Sequence, residues 1–208
     1  MKLYWSPRSP FVRKVMVCAH ELGIAEQIEK HYALVSVRDV NVDMLQVNPL
    51  GRIPALVTND GTTLYDSVVI CEYLDAAHGE HRLFPAEGGR RWDALRRHAL
   101  ANGMLETLVR WRDERSRSPA QQSAEVLAAF ERKVISALDA ADAEVRSIEH
   151  AAPDIGHCTL AVALGYLDFR YADVNWRKPR PRLAQWFDAF AARPSMQQTL
   201  PLDEQAGR

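Results

Sequence analysis

The sequence has almost no net charge. Its 26 lysines and arginines nearly balance 27 aspartates and glutamates, which leaves a formal net charge of -1 at pH 7. Nucleic acids and acidic membrane surfaces attract basic proteins, so this balance predicts neither a nucleic-acid partner nor a membrane partner. Long apolar runs are missing as well, because none approaches the roughly 18 residues that span a bilayer. The N-terminus carries one lysine and then only a short apolar stretch, so we expect no signal peptide.

Cysteines are few and widely spaced. The three of them, Cys18, Cys71 and Cys158, each lie in an apolar pattern of helical period. Such positions favour reduced thiols in a protein core over disulfide bonds, which predicts a cytoplasmic protein. The seven histidines include no pair at the spacing typical of metal ligands, so we expect no metal.

The most informative stretch of the sequence is residues 3–15. Apolar residues 3–5 are followed by turn residues and then by apolar positions at helical spacing. Ser9 is a preferred N-cap, Pro10 suits the first helical position, and Gly23 supplies a stop. The pattern predicts a strand, a tight turn and a helix, with a serine hydroxyl at the positive end of the helix. Free N–H groups and the helix dipole favour an anion there, although on its own Ser9 is better explained as a plain helix cap.

The pattern up to residue 77 is that of a small α/β domain. After the first helix we predict a strand over residues 27–34, a short helix over 40–47 and a rigid loop over 48–54. A two-residue hairpin turn at 59–61 then joins strands 56–57 and 63–65. The next helix opens at Asp66 and Ser67. Proline cannot donate to a β-ladder, so Pro54 at the start of a strand makes Ile53–Pro54 a candidate cis bond.

The rest of the chain is typical of an all-α domain. Residues 78–89 contain three glycines and a proline, which predicts a linker. We predict helices over residues 90–115, over 121–148, from Asp154 onward, and over 183–192. On the first of these we expect an apolar face that includes Trp92, Leu95, Ala99, Leu105, Leu108 and Trp111. The predicted domains are therefore 1–77 and 90–208, joined by the linker 78–89.

Three segments together resemble one known family. They are residues 9–14 (SPFVRK), 48–56 (NPLGRIPAL) and 66–74 (DSVVICEYL). In this order and spacing they resemble the cytosolic glutathione S-transferase superfamily, and most of all its small bacterial members with serine in the active-site turn. The resemblance covers essentially the whole chain and implies a thioredoxin-like α/β N-terminal domain followed by an all-α helical domain.

The resemblance also implies an activity and an assembly. The protein would be a cytoplasmic detoxification enzyme, a glutathione transferase, that uses glutathione as co-substrate and acts on a small electrophile. It would form a homodimer, in which the first domain of one subunit lies against the helix 90–115 of the other. The arginines on that helix suit a polar interface; they are Arg90, Arg91, Arg96 and Arg97.

Glutathione offers two carboxylates, an amino group and a thiol, and the sequence has groups suited to them. A carboxylate is stabilised by the unpaired N–H groups of a helix N-terminus, where the Ser67 hydroxyl can add a hydrogen bond. Asp66 only accepts hydrogen bonds when it is ionised, which suits the amino group. The resemblance assigns Asp66 and Ser67 to the γ-glutamyl part, and the Ile53 backbone, before a cis Pro54, to the cysteinyl part. The expected glutathione-binding residues are Ser9, Arg52, Ile53, Pro54, Asp66 and Ser67.

Ser9 is the expected catalytic residue. A serine without a general base is a poor nucleophile, and no Ser-His-Asp arrangement is evident, so we expect its hydroxyl to donate to the glutathione sulfur and hold it as a thiolate. Lowering a thiol pKa by two units needs about 2.7 kcal/mol, which one charge-assisted hydrogen bond of about 1.5–3 kcal/mol and a helix end together supply. Ser6, in the same turn, is the alternative. Arg13, one helical turn further on, either supports the sulfur electrostatically or faces solvent.

Other functions of the same fold have to be weighed against conjugation. Ser9 stands where thiol-transfer relatives carry cysteine, which argues against a thiol-disulfide oxidoreductase. A non-catalytic glutathione-binding or protein-interaction module is the alternative function, and an isomerase or a peroxidase would have the same first domain. The electrophile cannot be predicted, because its apolar pocket depends on helix packing. We expect that pocket between residues 7–8 and the helix around Met104, Leu108 and Trp111.

One position departs from the family pattern. Many members begin the core helix of the second domain with Ser or Thr and place Asp three residues later, which forms a capping box. The corresponding residues here are Asp154 and His157. Asp154 keeps the cap, and the altered partner predicts a helix start that is stabilised differently.

Overall fold

The computed structural model describes residues 1–203, which form two compact units. The first unit contains Met1–Ala86 together with the segment from Pro194 onward, and the second contains Glu87–Arg193. An α/β unit followed by a helical unit is the fold class that the sequence predicts.

The first unit is built on a four-stranded mixed sheet with the strand order β2-β1-β3-β4. The strands are β1 (Lys2–Trp5), β2 (Glu29–Tyr32), β3 (Ala55–Val57) and β4 (Thr63–Leu64). β1 and β2 are parallel, so they need a crossover connection, which α1 (Pro10–Glu21) provides. The other two pairs are antiparallel. The helices α2 (Val42–Val47) and α3 (Ser67–His78) complete the predicted order of elements.

The β3–β4 hairpin has a longer loop than the sequence predicts. The Thr58 N–H donates to the Thr62 carbonyl at 2.9 Å, so the three residues 59–61 form the loop. Gly61 has a φ of 87°, the left-handed conformation that closes a three-residue hairpin loop. The Asp60 carboxylate accepts the Thr58 hydroxyl and, at 3.1 Å, the Thr62 N–H. These bonds explain why the longer loop forms here instead of the two-residue turn.

The core of the first unit contains the apolar positions that the sequence predicts for α1. Val12, Val15, Met16, Ala19 and Leu22 are all buried, and α1 packs against α3. The cysteines of these two helices are fully buried free thiols, as is the cysteine of the second unit; they are Cys18, Cys71 and Cys158. Their predicted place in the core is confirmed.

Four long helices dominate the second unit. They are α4 (Gly88–Arg115), α5 (Ala124–Ile148), α6 (Ile155–Arg170) and α7 (Pro181–Ala191). The predicted helices are all present. The Ser123 hydroxyl accepts the Val126 N–H at 3.3 Å at the start of α5, and Pro181 occupies the first turn of α7. A 3-10 turn, Pro119–Gln121, precedes α5 and shortens it relative to the prediction.

The predicted apolar face of α4 is only partly right. Leu105, Leu108 and Trp111 are buried, whereas Trp92 is 68% exposed and Ala99 is also exposed. The buried residues of α4 are Ala94, His98, Ala101, Met104, Leu105, Leu108 and Trp111. These positions recur every three or four residues and form one stripe, and Trp92 lies outside it.

The start of α6 is a capping box made by an aspartate and a histidine. Asp154 Oδ1 accepts the His157 N–H at 3.1 Å, and His157 Nδ1 lies 3.2 Å from the Asp154 backbone nitrogen. Nδ1 also lies 2.7 Å from Asp154 Oδ1, a hydrogen bond that requires a proton on Nδ1, whereas the box requires its lone pair. Arg97 Nη2 donates to Asp154 Oδ2 at 2.7 Å. His157 thus stays against Asp154 whichever of the two contacts Nδ1 makes, and a largely buried guanidinium reinforces this helix start.

We expect Asp154 to make the stability of the protein depend on acidity. Burial, the largest single influence, acts to raise the pKa of this carboxyl, but hydrogen bonds and charge from His157 and Arg97 outweigh it and hold the pKa below its usual range. A carboxyl with a depressed pKa in the folded state stabilises the fold above its unfolded pKa of about 3.9. That contribution is lost as the pH falls through the folded value.

The variant Asp154→Asn keeps a cap acceptor but removes the charge. Its free energy of unfolding should be lower than that of the wild type by about 1–2 kcal/mol at neutral pH, and the difference should shrink as the pH falls below about 4. Urea unfolding of both proteins across this pH range measures the difference. If the difference in the free energy of unfolding does not change with pH, the pKa of Asp154 is not depressed in the folded protein.

The C-terminal segment departs from the predicted domain boundary. After α7 a short helix, α8 (Pro194–Gln197), packs on α1, whereas the sequence predicts only a helix stop at Pro194. Proline suits the first turn of a helix as well as the position after one, so the same residue carries both signals. The sequence assigns all of 90–208 to the helical domain; of that range, residues 204–208 lie outside the described residues.

Part of the predicted linker is packed into the first unit. The Leu83 and Phe84 N–H groups donate to the Asp75 carboxylate of α3 at 3.0 and 2.7 Å. Both apolar side chains are buried. Residues 78–86 therefore extend the first unit beyond the predicted end at residue 77.

Candidate functional site

Ser9 is the N-cap of α1, as its sequence position predicts. Its hydroxyl oxygen accepts the Val12 N–H at 3.3 Å, and Pro10 occupies the first helical position. Ser9 is half-buried. This cap uses the hydroxyl as an acceptor only, so the O–H hydrogen is available to a ligand atom. Capping and donation to a sulfur are therefore compatible at Ser9.

Ser6 lies in the same turn but in a different setting. It is buried, with 5% of its surface exposed, and its hydroxyl oxygen accepts the Arg8 N–H at 3.4 Å. The Ser9 N–H donates to the Ser6 carbonyl at 3.2 Å. Of the two serines, Ser9 is the more accessible.

The second motif forms a loop held by a residue that sequence reasoning did not single out. Asn48 is buried, its Nδ2 donates to the Arg52 carbonyl at 2.8 Å, and its Oδ1 accepts the Leu50 N–H at 3.0 Å. An Asn before Pro is a turn signal that pointed to this role. The Ile53–Pro54 bond is cis, which confirms the prediction. Arg52 is exposed, whereas Ile53 and Pro54 are buried.

The third motif begins α3. Asp66 is the N-cap, and its Oδ1 accepts the Val68 N–H at 3.1 Å, which leaves the lone pairs of Oδ2 for another donor. Ser67, the first helical residue, is only 2% exposed. Its hydroxyl has no hydrogen-bond partner within residues 1–203. The Ser67 oxygen is not among the fully buried unpaired atoms of that range, so it keeps a small accessible surface through which it can bond a ligand.

The strand register brings the three motifs to one edge of the sheet. Tyr4 pairs with Ala55, so Pro54 lies beside the end of β1, where the turn to Ser9 begins. Leu56 pairs with Leu64, so Asp66 follows β4 at the same edge. The N-termini of α1 and α3 and the Ile53–Pro54 loop thus come together, although they are distant in the sequence.

Arg13 does not face solvent, so one of its two predicted alternatives is wrong. Its side chain is 8% exposed, and Nη2 donates to the Met196 carbonyl at 3.3 Å. Burial lowers the pKa of the guanidinium to about 10, so it stays charged at neutral pH. The neighbouring Lys14 is fully buried too, a feature that the helical pattern did not indicate.

The residues expected around the electrophile belong to the packed face of α4. Met104, Leu108 and Trp111 are buried in the second unit. The centroid of the Trp111 ring lies 4.8 Å from that of the Tyr171 ring and 4.5 Å from the Arg115 guanidinium. The electrophile pocket itself stays a prediction.

Other features of the described residues do not coincide with the three motifs. An open groove of about 470 Å³ lies between α4 and α5, lined by Leu100, Ala129, Arg132 and Lys133 among others, and it contains none of the predicted site residues. Within residues 1–203, no cluster of three or more His, Cys, Asp and Glu side chains is arranged to hold a metal ion. No helix in that part of the chain is long and apolar enough to span a membrane.

A thioredoxin-like unit with these motifs on one sheet edge, followed by a helical unit, defines the class of protein. Two family models match the chain: Glutathione S-transferase, N-terminal domain, over residues 8–77, and Glutathione S-transferase, C-terminal domain, over residues 124–189. The chain belongs to the glutathione S-transferase superfamily, which confirms the resemblance seen in its sequence.

Individual relatives match over nearly the whole chain. A glutathione transferase family member from Pseudomonas fluorescens Pf-5, with bound glutathione, is 39% identical with a TM-score of 0.93, covering 97% of this chain and 99% of that one. A structure of such a family member from the same strain, with bound S-(propanoic acid)-glutathione, is 38% identical with a TM-score of 0.89, covering 98% of this chain and 100% of that one. The uncharacterized GST-like protein YibF of Escherichia coli K12 is 29% identical, covering 97% of this chain and 98% of that protein.

Proposed function

We propose that this protein is a glutathione transferase. It binds glutathione, holds the thiol as a thiolate, and joins the sulfur to a small electrophile by substitution or addition. A carbon–sulfur bond forms, and either a leaving group departs or the acceptor takes up a proton. The observation that carries the proposal is the meeting of Ser9, the Ile53–Pro54 loop and the Asp66–Ser67 helix start at one sheet edge. The glutathione-bound structures of similar proteins support it.

Each part of glutathione has a partner of matching chemistry in this proposal. The Ser67 hydroxyl and the N-terminus of α3 hold the γ-glutamyl carboxylate, since both supply donors. Asp66 Oδ2 accepts the ammonium group, and the Ile53 backbone pairs with the cysteinyl part. The exposed guanidinium of Arg52 suits the remaining carboxylate.

Ser9 is the proposed thiolate partner. Its half-buried hydroxyl at the N-terminus of α1 can donate to the sulfur while its oxygen continues to cap the helix. A hydrogen bond to a charged acceptor contributes about 1.5–3 kcal/mol, and the helix end adds to it. Ser6 is the less accessible alternative.

The buried cysteines and the thiol chemistry support a cytoplasmic location.

A conjugation assay tests the proposal. The purified protein is titrated with glutathione by calorimetry and then assayed with a panel of electrophiles, including halogenated nitroarenes and α,β-unsaturated or halogenated short-chain acids. The acids are included because a similar protein binds S-(propanoic acid)-glutathione. Conjugation above the uncatalysed rate is the expected result. Binding without turnover on this panel, or in peroxidase and isomerase assays, would identify a non-catalytic glutathione-binding module instead.

The proposal includes a homodimer, and two of the arginines expected at its interface are paired within the subunit. Arg96 pairs with Glu144 and Arg97 with Asp154 inside one chain, so these arginines are engaged in the subunit itself. Trp92 on α4 is a better interface residue, because a large exposed apolar side chain is typical of a contact surface.

Light scattering at micromolar concentration should therefore give about twice 23.5 kDa. Trp92→Glu should shift the protein toward the monomer, because a charge would be buried without a partner, whereas Arg110→Glu, at an exposed position of the same helix, should not. A wild-type monomer would reject the dimer but not the enzyme.

A further inference from the structure

The segment 194–202, here called the C-terminal segment, runs along α1 and reaches the turn before it. Three hydrogen bonds join the segment to the far end of α1, to its first half, and to the turn. They run from Ser195 Oγ to Glu21 Oε1 (2.5 Å), from Arg13 Nη2 to the Met196 carbonyl (3.3 Å), and from the Leu202 N–H to the Pro7 carbonyl (3.4 Å). The last bond lies two residues from Ser9.

The C-terminal segment is internally ordered. The Gln198 N–H donates to the Pro194 carbonyl at 2.9 Å, and the Thr199 hydroxyl donates to the Ser195 carbonyl at 2.7 Å. Met196 is fully buried. These contacts order residues 194–199, and Leu202, which bonds the Pro7 carbonyl, lies three residues further along the chain.

Arg13 has a physical reason to hold this segment. Its buried guanidinium pairs with no carboxylate within residues 1–203, and its Nε has no hydrogen-bond partner there. A buried cation without acceptors is unfavourable, so the Met196 carbonyl is an important partner for it. The Arg13 N–H also donates to the Ser9 carbonyl at 2.9 Å, which places Arg13 one helical turn from the cap.

We infer that Arg13 and the C-terminal segment position the turn that carries Ser9: Arg13 holds the main chain of Met196, and the Leu202 N–H holds the Pro7 carbonyl. Arg13 is thus a positioning residue that acts through the segment and the turn. The inference rests on the proposed role of Ser9 as thiolate partner, because only then does the position of this turn set the thiol pKa of bound glutathione.

Two pairs of variants test the inference. Leu202→Pro removes the N–H that holds Pro7, and Leu202→Ala removes the same exposed side chain but keeps the N–H. Arg13→Met replaces a buried cation by an apolar side chain of similar length, a change that proteins often tolerate, and Arg13→Lys keeps a donor for the Met196 carbonyl. Unfolding curves identify any variant that does not fold, and the Leu202 pair serves as the test if Arg13→Met does not.

The readouts separate positioning from overall stability. Leu202→Pro and Arg13→Met should raise the thiol pKa of bound glutathione by about 0.5–1 unit and lower kcat near neutral pH by about 3- to 10-fold, with the Kd of glutathione within about twofold. Hydrogen exchange at the backbone amides of residues 8, 9, 11 and 12 should be faster in the ligand-free protein, residue 10 being a proline without an amide hydrogen. Leu202→Ala and Arg13→Lys should resemble the wild type in all of these.

Different measurements test the positioning of the turn and the proposed glutathione transferase function. A normal thiol pKa and normal exchange in Leu202→Pro would show that the C-terminal segment does not position the turn. A wild-type protein that fails to bind glutathione would refute the proposed function. In that case unchanged exchange at residues 8–12 would still overturn the positioning, and faster exchange would still support it.

Discussion

Replacing Ser9 by alanine should lower turnover near neutral pH by about ten- to a hundredfold, with a much smaller change in glutathione affinity. The loss of one hydrogen bond of about 1.5–3 kcal/mol to the thiolate should raise the thiol pKa of bound glutathione by about one to two units. Affinity should change little because most of the tripeptide is held by the other two motifs. Thiolate absorbance of the complex, titrated against pH, measures the shift directly.

The cap that Ser9 forms needs its own control. Losing a serine N-cap lowers stability by about 0.5–2 kcal/mol, whatever the serine does in catalysis. Ser123 provides a matched control, because its hydroxyl accepts the Val126 N–H at the same 3.3 Å at which Ser9 accepts the Val12 N–H. Ser123→Ala should lower the free energy of unfolding to a similar extent and leave both turnover and the thiol pKa unchanged.

Two results would move the assignment away from Ser9. A pKa shift seen only in Ser6→Ala would transfer the thiolate contact to Ser6. No shift in either variant would leave Ser9 as a plain cap and favour the non-catalytic module.

Replacing Asp66 by alanine should weaken glutathione binding by about 1.5–3 kcal/mol, which corresponds to about a 10- to 150-fold rise in Kd. The physical reason is that the ammonium group of glutathione gives up water on binding, and the variant has no carboxylate to replace that water. Calorimetry measures the change, and an unchanged affinity would refute the γ-glutamyl assignment.

The structure separates the charge of Asp66 from its cap. Asp66→Asn keeps an oxygen that can accept the Val68 N–H, so it should retain the helix start and still bind glutathione weakly. Asn41→Ala removes the cap of α2, where Asn41 Oδ1 accepts the Met44 N–H at 3.1 Å, and it controls for a lost cap in the same unit. A glutathione analogue without the amino group should bind wild type and Asp66→Ala equally, because the interacting pair is already absent.

The sequence by itself determined those features of the fold that depend on a few neighbouring residues. Ser9, Asp66 and Asp154 are helix caps as predicted, because a capping bond joins residues only two or three positions apart. The candidate cis bond before Pro54 was predicted from the proline and the adjoining strand, again local information. The family motifs then indicated glutathione, although nothing in their residues alone requires that the three segments meet.

Only the tertiary structure decided which surfaces are covered. Trp92 was expected on the apolar face of α4 yet lies outside the buried stripe, and Arg13, for which solvent exposure was one of two alternatives, is buried. The packing partners that decide this come from distant parts of the chain. The segment from Pro194 joins the first unit for the same reason. The meeting of Ser9, Pro54 and Asp66 likewise depends on strand register, which pairs residues about fifty positions apart and which no local pattern encodes.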